Sequence, residues 1–229
     1  MTRARELADL LTGGQTITTA DNTEQLIFKS TDADASAGPL IKMHRDSSSP
    51  ADGDNLGRFN FIGENDASEE VTYARIHAKA GDVTDGTEDG QLLLLTTVDG
   101  TNRSRMAIGP SETVFNEDSI DSDFRVESNG NANMLVVDAG NDRIGIGTNS
   151  PDSMVHISAA SSARLRLEDT TNSVKTDILV GDTSSVIGNA SNHDLAFMTN
   201  DVNRMTIASG GNAIFNGQVM TNTIGRSDD

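Results

Sequence analysis

The chain has 229 residues, a formal net charge of −18 and no cysteine. It can therefore hold no disulfide, thiolate metal site or cysteine nucleophile, and its charge disfavours binding to nucleic acid or to anionic membranes. Only 3% of the residues are aromatic, and there is no Trp. Because aromatic side chains supply much of the buried area of a globular core, this composition argues against a compact monomer.

The first residues differ from all that follow. Residues 1–12 predict a short α-helix, because Ala4, Leu7, Ala8 and Leu11 share one face at helical spacing and a glycine pair follows. A helix of three turns is marginal alone. We therefore expect residues 1–20 to form an attachment segment in which these four side chains bind a partner. A frayed terminus is the alternative.

The remainder predicts an all-β chain. Strand-like runs of four to six residues alternate with Gly-, Asn- and Asp-rich turns. Strands are predicted, among others, at residues 26–31 and 40–43, and the continuously apolar run 92–95 predicts a strand covered on both faces. Disorder is the alternative for so polar a chain, but the regular spacing of the runs argues against it. We predict a narrow, repeated core completed by other copies of the same chain.

An internal repeat divides this β region. Arg105-Met106-x-Ile108 followed by an apolar-Phe-Asn strand recurs as Arg204-Met205-x-Ile207 followed by a similar strand. We predict a first β repeat region at residues 21–120, a bridging β segment at 121–160 and a second, shorter β repeat region at 161–229.

The bridging segment holds the most distinctive run of the chain, residues 141–151, with the letters NDRIGIGTNSP. Alternation places Ile144 and Ile146 on one face of a strand. Gly145 and Gly147 leave the other face bare, so that another backbone can approach closely there. We predict that these four residues pack in a trimer.

This run resembles one that recurs in phage tail-fibre and tailspike proteins, especially those of marine phages: a strand, R-I-G-I-G-T-x-S-P, and a short hydrophobic strand. The resemblance extends to residues 133–138 and 163–170. It implies a virion structural protein that forms an elongated, intertwined homotrimeric fibre with β-prism-like or β-helix-like segments. Similar fibre proteins begin with a segment like residues 3–10, which implies attachment to a tail or baseplate protein through the N-terminus.

The resemblance also sets the expected place and partners of the protein. It implies a location in the virion tail after assembly in the host cytoplasm, with a role in host attachment. The C-terminus would meet a host surface receptor or a further fibre protein. A fibre fixed to the capsid and a glycan-binding adhesin are alternatives. A tailspike polysaccharide depolymerase is a further alternative, because the paired carboxylates that cleave a polysaccharide can come from different subunits of a tailspike.

The sequence contains no recognisable catalytic or cofactor motif. The four histidines share no ligand spacing, the loop from Asp52 has Gly63 where an EF-hand needs an acid, and the glycines at 145 and 147 lack the rest of a dinucleotide loop. We therefore predict no enzyme activity, no cofactor and no metal site. No apolar run is long enough for a signal peptide or a membrane span, so no membrane insertion is expected.

Overall fold

The structure is a computed structural model that describes residues 16–36 and 38–217. These residues form fifteen β-strands and no helix. The all-β prediction is confirmed. The predicted helix, with Ala4, Leu7, Ala8 and Leu11, lies outside the described residues.

The strands form four sheets in chain order, and each sheet joins strands that are consecutive in sequence. The first sheet contains β1 (Asn55–Glu64), β2 (Glu70–Asp82), β3 (Asp89–Val98), β4 (Thr101–Ile108) and β5 (Thr113–Phe115). The second contains β6 (Phe124–Val126), β7 (Leu135–Asp138), β8 (Arg143–Ile146) and β9 (Val155–Ile157). The third contains β10 (Ser162–Asp169), β11 (Val174–Gly181) and β12 (Ser185–Asn189), and the fourth contains β13 (Leu195–Thr199), β14 (Val202–Ile207) and β15 (Ala213–Phe215).

Short turns make almost all strand pairs antiparallel. The β3–β4 hairpin turns at Asp99 and Gly100, and the β13–β14 hairpin turns at Asn200 and Asp201, all with positive φ. Two central residues with positive φ match the twist of a two-residue hairpin, and Asn, Asp and Gly adopt that conformation most readily. The exception is β8–β9, which pair in parallel across a loop.

The sequence repeat corresponds to a structural one. In the first sheet, Leu94 pairs with Met106, which pairs with Phe115. In the fourth sheet, Phe197 pairs with Met205, which pairs with Phe215 in the same way. A register shift follows the first residue of both rows, and an Asn after each last strand donates its backbone N–H to the Arg of the motif. Strands β3–β5 and β13–β15 are thus two copies of one three-stranded unit.

Two strand predictions are wrong. Residues 26–31 and 40–43 belong to no strand, and their large apolar side chains are exposed. A strand requires a neighbour for its backbone groups, and the described part of the chain supplies none for these runs. The run 92–95 is a strand, but Leu92 and Leu94 remain more than one-third exposed, so the chain alone does not cover both of its faces.

The fold has almost no interior of its own. The substantial contacts between strands lie within the sheets, and the buried apolar residues of the described part are Ala80, Ala107 and Val136. The chain exposes 18304 Å², whereas a compact monomer of 24.2 kDa exposes about 10,000 Å². Residues outside the described ranges, if counted as fully solvated, account for at most about half of that excess.

Candidate functional site

The candidate site is a surface: one apolar face on each of the four sheets. In the first sheet a single row of paired residues crosses all five strands and is apolar throughout. The row consists of Phe59, Ile76, Leu94, Met106 and Phe115. Two residues along, on the same face, lie Ala78, Leu92 and Ile108. Phe59 is 48% exposed and Phe115 is 50% exposed, so this row faces solvent in the isolated chain.

The second sheet repeats the arrangement. One row across its four strands consists of Phe124, Val137, Ile144 and Val155. On the same face Val126 pairs with Leu135, and Ile146 pairs with Ile157. The predicted packing residues Ile144 and Ile146 therefore lie on one exposed apolar face, as the alternation requires.

The third and fourth sheets also have an apolar face. In the third, Leu165 pairs with Ile178, which pairs with Ile187, and Val180 lies beside them. In the fourth, the face carries the following residues: Leu195, Phe197, Met205, Ile207, Ala213 and Phe215. Most of these large side chains are exposed. Exposed apolar patches of this kind are typical of interaction surfaces.

The opposite face of the third sheet is charged. The Arg166 guanidinium donates two hydrogen bonds of 2.8 Å to the two carboxylate oxygens of Asp177 on the paired strand. These hydrogen bonds hold the pKa of Asp177 below its usual value and raise that of Arg166. Lys175 pairs with Glu168 at 3.2 Å on the same face. A sheet with one charged face and one apolar face is built to bury only the apolar one.

The space beside Gly145 and Gly147 is occupied by the backbone of the same chain. A Cβ at Gly145 would lie 2.4 Å from the carbonyl oxygen of Thr148, and one at Gly147 would lie 2.1 Å from that of Ser158. Gly147 also has φ +80°, a conformation that side chains disfavour. The predicted close approach of a backbone exists, but the approaching backbone is the chain's own.

The returning loop explains the rest of the signature. After Gly147 the chain folds back over the glycine face, and Pro151 becomes buried there. The Arg143 guanidinium donates a 2.7 Å hydrogen bond to the Pro151 carbonyl oxygen. Val136, which pairs with Gly145, is 2% exposed. The run therefore builds a parallel crossover with a small core on one face and two isoleucines on the other.

Possible ion ligands are occupied or dispersed. Asp54 pairs with Arg45 at 2.9 Å, and Asp52 accepts a hydrogen bond from the Val83 N–H. Within residues 16–36 and 38–217, no group of three His, Asp or Glu side chains is placed to hold a metal ion. His77, His156 and His193 lie on different sheets or loops.

Comparisons with known proteins add no assignment. No protein-family model matches the chain, and no curated protein matches it. Among the described residues, none belongs to a helix long and apolar enough to cross a membrane.

Sequence reasoning found the apolar face of the second sheet and missed that of the others. The signal was present: Phe59 and Phe61 alternate with Arg58 and Asn60 in β1, and Leu165 alternates with Arg166 in β10. Short alternating runs identify two faces, but they become a continuous surface only once the register aligns them.

Proposed function

We propose that this chain is a structural segment of a phage virion, a homotrimeric tail fibre that contributes to host attachment. The observation that carries the proposal is that each of the four sheets has an apolar face on which most large side chains remain exposed in the described chain. Three copies, each supplying one wall around a common axis, would bury all of these faces together. The assignment to a phage tail derives from the resemblance of residues 141–151 to phage fibre proteins.

The burial is large enough to drive assembly. Covering a Leu, Ile or Phe side chain contributes about 1.5–3 kcal/mol when it goes from exposed to fully buried. Each of the four sheets offers several such half-exposed side chains. Their sum exceeds the ordering cost of association even if many are covered only in part. The charged network at Asp177 would then lie on the outside of the fibre.

The test of assembly is sedimentation equilibrium of the full chain over a wide concentration range. We expect a single species of three times 24.2 kDa. A folded monomer would refute the proposal. A dimer would also contradict it, because two copies would then cover their apolar faces as a two-layer sandwich. Attachment through residues 1–20 is tested separately, by mass spectrometry of purified virions and by antibody labelling of that segment on the particle.

A matched pair of variants tests which face is covered. Ile187 and Val186 are neighbours in β12, are 66% and 45% exposed, and lie on opposite faces of the sheet. We expect Ile187→Glu to prevent trimer formation, because it would bury a charge in each copy. We expect Val186→Glu to leave the trimer intact, since its row contains Arg164. Equal behaviour of the two variants would contradict the assigned face.

A further inference from the structure

Basic side chains cluster on one face of the first sheet. On the face opposite the apolar row, four basic side chains lie together on β1 and β2; this basic cluster consists of Arg58, Arg75, His77 and Lys79. Arg58 pairs directly with His77, and Arg75 and Lys79 lie two residues to either side of it. β1 is one edge of the sheet.

The basic cluster is not neutralised within the described chain. None of its side chains lies within 4.0 Å of an acidic group in residues 16–36 and 38–217. Arg45, near the same edge, is already paired with Asp54 and is not part of it. Burial lowers the pKa of His77, and the charges of Arg58, Arg75 and Lys79 lower it further. The cluster therefore concentrates the three positive charges of Arg58, Arg75 and Lys79, which is unexpected in a chain of net charge −18.

Two exposed acidic side chains flank β5, the strand at the other edge of the sheet. Glu112 precedes β5 and Glu117 follows it, and both are exposed. They line a depression together with Gln91, Ala107 and Val114. Ala107 and Val114 belong to the row of Arg58 and His77, so the two glutamates border the face that carries the basic cluster. Neither glutamate forms an ion pair within the described residues.

A threefold assembly needs this kind of asymmetry. In a ring of three identical chains every contact is heterologous, so that one surface of each copy meets a different surface of the next. When three sheets form the walls of a prism, the β1 edge of one copy lies beside the β5 edge of its neighbour. On the face opposite the apolar row, the first sheet offers the basic cluster near its β1 edge and Glu112 and Glu117 beside its β5 edge.

We propose that the basic cluster of one copy contacts Glu112 and Glu117 of the next copy, and that this contact sets the order of the chains around the axis. The inference rests on the proposed trimer and adds the surfaces that join it. Complementary charge of this kind contributes orientation and specificity to an interface more than it contributes affinity.

The test is a charge swap in the full chain. Arg58→Glu/Lys79→Glu places acids opposite acids, and Glu112→Lys/Glu117→Lys places bases opposite bases. We expect each double variant to weaken trimer association at least about tenfold, and the quadruple variant to restore it to within about threefold of the wild type. Circular dichroism of each variant checks that the strands still form.

Mixing the variants gives an outcome specific to three chains. A ring of three that contains both double variants always keeps one mismatched contact, so the mixture should recover less association than the quadruple variant. Full recovery in the mixture would indicate a ring with an even number of chains. As a control, Arg204→Glu, on the fourth sheet, should not rescue Glu112→Lys/Glu117→Lys. A quadruple variant no better than the doubles, in a wild type that is a trimer, would overturn the contact and leave the fibre proposal standing.

Discussion

A substitution at Gly145 tests whether the bare face of residues 141–151 contacts the backbone of the same chain or that of another copy. In Gly145→Ala, the new Cβ would lie 2.4 Å from the Thr148 carbonyl oxygen, whereas ordinary contact begins at 3.4 Å. The loop backbone must therefore move by about 1 Å. Overpacking of this kind typically costs about 1–3 kcal/mol. The cost falls on the crossover between β8 and β9, and it arises in each chain without a second copy.

Hydrogen exchange of the full chain measures this cost locally. The Gly147 N–H donates to the Asn133 carbonyl and the Ser158 N–H donates to that of Ile146, each at 2.8 Å. Both amides lie in the crossover and report its opening. For 1–3 kcal/mol we expect their protection to fall by a factor of about 5 to 150 in Gly145→Ala. Amides of the fourth sheet should not change.

Gly130→Ala is the matched control, because a Cβ there meets nothing within 4 Å and the residue has no positive φ. Its protection factors should stay close to those of the wild type. If Gly145→Ala behaves like Gly130→Ala, the intrachain explanation is wrong. If Gly145→Ala keeps its protection but loses the trimer, the bare face contacts another copy, as the sequence alone suggests.

Two further predictions concern other sheets. The pKa of Asp177 is lowered in the folded chain, so its carboxylate stabilises the fold fully above its unfolded pKa of about 4. This stabilisation is lost as the pH falls through the lower folded pKa. Between pH 7 and pH 2, the melting temperature of the wild type should therefore fall more steeply than that of Asp177→Asn. The rings of Phe115 and Phe124 lie 4.9 Å apart, a pair worth about 0.5–1.5 kcal/mol. Phe115→Leu should therefore lower the melting temperature more than Phe197→Leu, whose ring has no aromatic partner in the described part of the chain, and an equal loss would contradict a stabilising ring pair.

The parts of the fold that could be predicted from sequence are local. The β3–β4 hairpin is encoded by Asp99 and Gly100, which adopt positive φ at little cost. The repeat of Arg105-Met106 as Arg204-Met205 became two copies of one unit, because the same side chains occupy the same places in the ladder. The alternation of Ile144 and Ile146 places both side chains on one face of β8, because successive residues of a strand point to opposite faces.

The parts that could not be predicted depend on partners distant in sequence. Residues 26–31 have the composition of a strand, but composition cannot say whether another strand lies beside them. Gly145 and Gly147 indicate a close approach of some backbone, but the pattern does not identify which one. The answer, the returning loop at Thr148 and Ser158, follows only from the parallel pairing of β8 and β9.

The same separation between local and distant effects explains why this chain has so little interior. Its strands and turns are encoded locally, so each small sheet forms from consecutive residues. A single-layer sheet can bury an apolar face only against another layer. The loop at Pro151 covers one face of β8 in this way, but most of the other apolar side chains stay exposed. Paired rows such as Phe59–Ile76–Leu94 therefore remain exposed in the single chain, and in the proposed trimer other copies would cover them. The proposed trimer accounts for the low aromatic content and the open apolar faces together, since in it a narrow core would be completed by assembly.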